Sequence, residues 1–306
     1  MTVTTPSLVW VVTGCSSGFG NELVKSIISH GDKAIATARN TDSIKDLEAL
    51  GATTLQLDVS SSADELVQRV KEAIAVHGHI DVIVHNAGVT QFGAVEDLTT
   101  DMLLRQLQTN TFGPLNLTKA ILPHFRERKT GHVVLVSSST VWTDGPGLGG
   151  HIASKAAADA LFSTMALEIQ SFGIKTTILQ PGSFRTNIAH PGHFNFPPST
   201  AYKETMDWME KHLAELHGTQ QGDPARFGEV VVDLVKGQGY AQDKEIPMKL
   251  VVGSDVCTFR KTWLESEKKM LEEWEPLVGS TNFGAKPYEA RKHDESLPEP
   301  WKELKK

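Results

Sequence analysis

Short apolar runs alternate with longer segments in which apolar residues return about every 3.6 positions. The runs at 8–13, 33–38, 53–58, 80–85, 132–137 and 175–180 are rich in valine and isoleucine and predict strands buried on both faces. The segments at 18–30, 41–50, 62–77, 101–128 and 151–172 have helical length and spacing. Pro114 and Pro123 are expected to subdivide or bend the fourth of these. Repeated strand–helix units predict an α/β fold, a Rossmann-type doubly wound parallel sheet. Such sheets take ligands at the carboxyl ends of their strands, where the strand order reverses.

After Pro181-Gly182 the rhythm changes. Residues 185–200 are rich in Pro, His and Asn and predict an irregular loop, followed by an amphipathic helix over 201–217. Asp223-Pro224 signals another helix start, because Asp caps well and Pro suits the first turn. An edge strand is expected over 248–252 and a last long helix over 254–274. The tail from Gly279, with Pro287, Pro298 and Pro300, is expected to drape over the surface or be disordered. The expectation is one domain over 1–306: a cofactor-binding core at 7–182, a helical substrate lid at 183–250 and a tail at 279–306.

Composition narrows the class. Across 306 residues, 40% hydrophobic and 22% charged content provides a substantial core for a soluble globular protein. Net charge is −7 with Lys and Arg scattered, which argues against nucleic acid as a partner. Two cysteines, Cys15 and Cys257, make a disulfide framework implausible and fit a reducing compartment. No leader pattern or lipid-anchor signal is read, and no apolar run reaches the roughly 18 residues of a membrane span. A cytoplasmic protein acting on a small molecule is therefore expected.

Thr13-Gly14-Cys15-Ser16-Ser17-Gly18-Phe19-Gly20 lies between the first strand and the first helix. Glycines there permit a tight turn, and backbone N–H groups with the helix N-terminus suit a pyrophosphate. At the end of the second strand, Ala36-Thr37-Ala38-Arg39-Asn40 lacks the acid that holds the ribose 2′-hydroxyl of NAD. Arg39 instead suits a 2′-phosphate, favouring NADP(H), although an arginine there also reads as an ordinary solvated one.

Ser137-Ser138-Ser139 ends the fifth strand, and His151-Ile152-Ala153-Ser154-Lys155 follows it. With the glycine motif, these residues resemble the short-chain dehydrogenase/reductase family, closely over 7–190. The resemblance implies cofactor contacts from Thr13, Gly14, Ser16, Ser17, Gly18, Phe19 and Gly20, and an adenine-side turn at Asp58 and Val59. It implies further contacts from Asn86, Ala87 and Gly88 in a motif where His85 departs from the family's asparagine. Pro181, Gly182, Phe184 and Thr186 resemble the nicotinamide-side turn. By the same resemblance Asn110 holds a water chain and Ser138 binds the substrate oxygen, with Ser137 and Ser139 as neighbouring alternatives. Lys155 would bind ribose and tune the catalytic acid. It lies one helical turn after position 151, so both face the same side.

At 151 the family usually carries tyrosine as proton donor; this chain has histidine. Histidine is shorter, leaving room for a water or a bulkier substrate. Beside Lys155 it should be neutral, a competent base and a weak acid. Three readings follow. One is reduction of a carbonyl or iminium in a bulky apolar molecule. The second is a non-redox isomerase, lyase or cyclase with His151 as base and NADP(H) as scaffold. The third is a cofactor-binding pseudoenzyme.

Trp142, Thr143 and Phe194 are expected to wall the pocket, with Phe196 and Trp208 extending it, although Trp208 and Met209 also read as lid packing. The glycine-rich stretch 145–150 implies close backbone approach or a mobile wall. His151, His190 and His193 match no zinc spacing, so no metal is expected. By resemblance, helices 101–128 and 151–172 are dimer faces, making a homo-oligomer possible.

Overall fold

The computed structural model describes residues 7–281, without the side chain of His193. The proline-bearing tail beyond Thr281 lies outside the described residues.

Seven parallel strands form one sheet in the order β3-β2-β1-β4-β5-β6-β7. They are β1 (Val9–Val12), β2 (Lys33–Ala38), β3 (Thr53–Gln56), β4 (Val82–His85), β5 (Gly131–Val136), β6 (Ile174–Pro181) and β7 (Lys249–Val252). The helices are α1 (Gly18–Ser29), α2 (Lys45–Ala49), α3 (Ala63–His77), α4 (Thr100–Leu107), α5 (Gly113–Arg128), α6 (Gly149–Ile169), α7 (Lys203–Leu216), α8 (Pro224–Lys236) and α9 (Ser254–Gly279).

The period-2 pleat explains why the strands are apolar throughout. In β1, Val9 and Val11 join the core beneath α3, α5 and α6, whereas Trp10 and Val12 join the opposite core beneath α1 and α8. A buried ion pair fastens α8 to the sheet: Lys236 Nζ lies 2.9 Å from Asp32 Oδ1, and Asp32 Oδ2 accepts Trp10 Nε1–H at 3.1 Å. The order reverses between β1 and β4, so the crevice at their carboxyl ends is where such a sheet takes a ligand.

The long fourth helix is subdivided, as Pro114 led one to expect, by a π segment, Gln108–Phe112, before α5. Pro114 has no N–H and its ring crowds the carbonyl four residues back, that of Asn110, which a wider turn relieves. Pro123 sits inside α5 without dividing it. The last helix continues beyond residue 274 through Pro276 to Gly279. Asp223 caps α8 as expected, its carboxylate accepting the Ala225 N–H at 2.9 Å.

His85, His132 and His151 are buried, and burial pushes their imidazoles down to about 3, 4 and 3 from an ordinary 6.5. The unfolded chain therefore binds more protons between those values and 6.5, and stability falls as pH drops through that window. Each buried histidine contributes at most about 1.4 kcal/mol per pH unit. Urea midpoints at pH 7.0, 5.5 and 4.5 are expected to fall steadily, and His132→Gln to flatten the decline.

Candidate active site

The glycine loop is fixed from the β4 side. Thr13 Oγ1 accepts the N–H groups of Asn86 and Ala87, both at 3.0 Å. The Asn86 amide donates to the carbonyls of Thr13 and Gly14 at 2.9 and 3.0 Å. A Cβ on Gly14, at φ +71°, would lie 2.8 Å from Ala87 Cα. One on Gly20 would lie 2.5 Å from both Asn86 Nδ2 and the Gly14 carbonyl. The loop and the β4 turn are thus one interlocked unit. At the start of α1, Ser17 makes no side-chain cap, no acid occupies the first turn, and Ser16 and Ser17 are exposed. Those first N–H groups suit an anion such as a pyrophosphate. Thr186 touches Gly18, its Cγ2 3.3 Å from where a Cβ would be, so the β6 turn borders the same crevice.

Arg39 is exposed at the end of β2. Its charge reaches Asp58: burial pushes that carboxyl up, but two hydrogen bonds from Ser60 and the arginine hold it below the usual range. Val59 is buried, its carbonyl packed against Gly113.

A second framework builds on the π segment. Asn110 accepts the Val89 N–H and donates to the Val89 carbonyl and to Ser154 Oγ, all at 2.9 Å. Ser154 Oγ donates to the His151 carbonyl at 2.8 Å, and Thr111 Oγ1 to the Ser154 carbonyl at 2.8 Å. These bonds hold α6 with His151, Ser154 and Lys155 buried. Lys155 Nζ donates to the Val136 carbonyl at 2.8 Å, at the end of β5, and lies against Gly88. Burial pulls its ammonium down to about 8 against the opposing Asp159 charge. His151 Nδ1 pairs with Thr90 Oγ1 at 3.1 Å. Burial first, then the Lys155 charge, keeps its ring neutral despite a hydrogen bond to Val89. Ser138 follows the Lys155 anchor by two residues, and its Oγ accepts from Thr140 N and Oγ1 at 3.2 and 2.9 Å. Ser137 Oγ, one residue earlier, is buried without a hydrogen-bond partner.

A family model described as short chain dehydrogenase matches residues 8–193. The chain belongs to this family. An oxidoreductase of Botryotinia fuckeliana, BOA17, is 31% identical over 273 residues, covering 88% of this chain and 97% of its own. A 3-ketodihydrosphingosine reductase of Bacteroides thetaiotaomicron is 34% identical, covering 83% and 92%. A crystal structure of a short-chain dehydrogenase from Streptomyces avermitilis superposes with a TM-score of 0.80 at 34% identity, covering 92% and 100%.

Within this short-chain dehydrogenase several expected contact residues have other side-chain partners. The rings of Phe19 and Phe184 pack on Phe227, with centroids at 4.0 and 5.6 Å. Pro181 and Gly182 are tied to the edge strand, Gly182 N donating to the Val252 carbonyl at 2.9 Å. Trp142 does not join an aromatic wall with Phe194. The Arg260 guanidinium of α9 lies 3.2 Å from its ring centroid, and its Nε1–H donates to Gln180 Oε1 at 2.7 Å. Gln180 in turn donates to Asp159 at 2.5 Å, beside Lys155. Thr143 follows as a half-buried residue. Phe194 and Phe196 instead pack on Phe92, with centroids at 5.6 and 5.4 Å, over Met209 and Leu213 of α7. Trp208 is 54% exposed and stacks on His212, whereas Met209 is the residue that packs inward. The glycine stretch makes close approaches: the Gly147 carbonyl accepts the Gly93 N–H at 3.0 Å, and Gly150 abuts Gln106.

Sequence reasoning missed Thr90, Ser154, Gln180 and Asp159. Ser154 and Asp159 sit on the inward face of α6 with Lys155, a periodicity that was available as a signal. Thr90 carried none. His85, the departure in the β4 motif, pairs with Thr118 at 2.7 Å and packs edge-on against Phe162.

Proposed function

We propose that this oxidoreductase-family protein is an NADP(H)-dependent reductase of a carbonyl or iminium group in a bulky apolar small molecule. The observation that carries the reading is the framework of Asn110, Ser154, Lys155 and His151 beside Gly88. It holds a titrating amine and a neutral imidazole on one helical face. NADPH, when bound, supplies the hydride. Asn86, Gly14 and Gly20 shape the loop that receives its pyrophosphate, and Lys155 suits its ribose hydroxyls.

An imidazole whose pKa is held near 3 neither gains nor loses a proton readily at neutral pH. The neutral ring carries one N–H, which the Val89 carbonyl holds in the free protein; His151 acts as a hydrogen-bond donor when that N–H turns to the substrate oxygen, polarising it together with Ser138. Lys155, near 8, is the group poised to release a proton. It passes that proton to the oxygen as the carbonyl carbon gains hydride; an iminium carbon needs none. The same low basicity counts against His151 as the base of a mass-neutral reaction. Phe92, Phe194, Phe196 and Leu148 supply an apolar wall reached from His151 through the segment Thr90–Phe92. The related Bacteroides enzyme is named as a reductase of a keto compound, which agrees with this reading.

Arg39, exposed and without a neighbouring acid on β2, favours the 2′-phosphate. Arg39→Ala is expected to weaken NADPH about tenfold or more and leave NADH unchanged, read by fluorescence titration. Equal weakening of both would remove the preference. The reaction itself is tested by incubating protein with a metabolite extract and NADPH deuterated at its transferable positions. A reduced product carrying the label is expected. A new unlabelled product formed without NADPH consumption would overturn the reductase reading in favour of the mass-neutral one.

A further inference from the structure

Asp159 takes no part in the steps above, yet it is a buried carboxylate. It is 5% exposed and lies on the inward face of α6, one helical turn after Lys155. Its Oδ2 accepts from Gln180 Nε2 at 2.5 Å, while its Oδ1 is buried without a hydrogen-bond partner. A carboxylate left this short of partners is costly, and such a core position ordinarily holds an apolar residue. Two cations lie near it. Lys249 of β7 brings Nζ to 4.0 Å from Oδ2, but that side chain is a third exposed and water screens the pair. Lys155 is buried and shielded from water. Around the amine, the Val136 carbonyl of β5, Gly88 of the β4 turn and Asn110 of the π segment are uncharged, and His151 on its own helix is neutral. Among the described residues, Asp159 is thus the one opposite charge acting on the buried amine.

We propose that Asp159 is the positioning residue of the active-site amine: clamped by Gln180 and Trp142, it is the counter-charge of the buried Lys155 ammonium. The clamp has one direction. Trp142 Nε1–H reaches Gln180 Oε1 at 2.7 Å, and an indole N–H can only donate. The Gln180 amide therefore turns its oxygen to the tryptophan and its NH₂ to the carboxylate. Gln180 is 1% exposed, so water cannot take over either bond. The Arg260 guanidinium over the indole, 3.2 Å from its centroid, closes the chain from α9. The inference rests on the reading above, in which Lys155 releases the proton that the substrate oxygen takes up. Burial has already brought the amine down to about 8, with the Asp159 charge working against it. Without that charge burial acts alone, and an amine that is neutral at pH 7 has no proton to release.

The test follows the lysine itself. The full chain, isotope-labelled at its lysine ε-carbons, is titrated by NMR, with the Lys155 signal assigned by its loss in Lys155→Arg. The wild-type midpoint is expected near 8. Asp159→Asn keeps the shape and an acceptor for Gln180 but removes the charge. It should lower the midpoint by about one pH unit or more. Its melting temperature should be unchanged or higher, because a costly buried charge is gone. Trp142→Phe deletes the N–H that orients Gln180 and should move the lysine the same way by less. An unmoved midpoint in Asp159→Asn overturns the proposal, and a lower melting temperature beside it marks Asp159 as purely structural. An unmoved midpoint in Trp142→Phe overturns the clamp. Turnover of the substrate found by deuterium labelling separates this inference from the reading it rests on. The alkaline limb of the kcat profile should move down in Asp159→Asn as far as the lysine does. A lysine that shifts while the limb stays put upholds the counter-charge and overturns Lys155 as the proton donor.

Discussion

His151→Phe is expected to lower turnover about a thousandfold while leaving the dinucleotide dissociation constant within threefold. The ring of phenylalanine fills the buried site but cannot donate to a substrate oxygen, and it strands Thr90 Oγ1, now 3.1 Å from the imidazole Nδ1. Loss of a positioned donor costs roughly 10²–10⁴ in rate. Cofactor binding is spared because Lys155 keeps its bond to Val136 and the glycine loop is held by Asn86. Steady-state kinetics on the substrate found by deuterium labelling, with a parallel NADPH titration, separates the two effects. His151→Tyr is the informative companion. If hydride transfer is the reaction, tyrosine beside Lys155 restores a donor and activity returns to within tenfold of wild type. An unaffected His151→Phe variant would show that the histidine has no part in the chemistry.

Gly20→Ala is expected to weaken dinucleotide binding at least a hundredfold and to lower stability by about 2 kcal/mol, the usual range for forcing a methyl into a packed site. The added carbon would meet both Asn86 Nδ2 and the Gly14 carbonyl at 2.5 Å. Neither can retreat cheaply. The amide is the link between loop and β4 turn, and the carbonyl is its acceptor at 3.0 Å. Relief means breaking that link, which releases the loop whose N–H groups would receive the pyrophosphate. Thermal denaturation with and without saturating NADPH reads both parts. Wild type should be stabilised by ligand, whereas the variant should melt several degrees lower and gain nothing. Retained ligand stabilisation would show that the loop tolerates a side chain and that the interlock is unimportant for binding.

How much of this was legible beforehand depended on range. The strands and the doubly wound class followed from local period, because a strand buried on both faces has to be apolar at every position, as β1 and β5 are. The glycine loop was legible because its spacing is local to one turn, whereas Asn110 and Lys155 were singled out by resemblance to the family. What escaped were pairings across the chain. Nothing near Trp142 announces Arg260, and nothing near His151 announces Thr90. The break at Pro114 was expected but its place was not, because a proline reads as a break at its own position, whereas its clash acts one turn earlier, at Asn110. Trp208 and Met209 are adjacent and both apolar, so only the docked orientation of α7 decides which one packs inward.

The stack of Arg260 on Trp142 also bears on when the site matures. Trp142, Gln180 and Asp159 form a chain of contacts ending beside the Lys155 amine, and its outer clamp comes from the last helix of the described fold. On the ribosome, α6 and the cofactor loop emerge long before Arg260. A nascent chain can therefore bring β1 to β6 together while Trp142 still lacks its clamp. The surroundings of the amine are therefore finished only once Arg260 has emerged, later than the elements that carry Lys155 and the glycine loop.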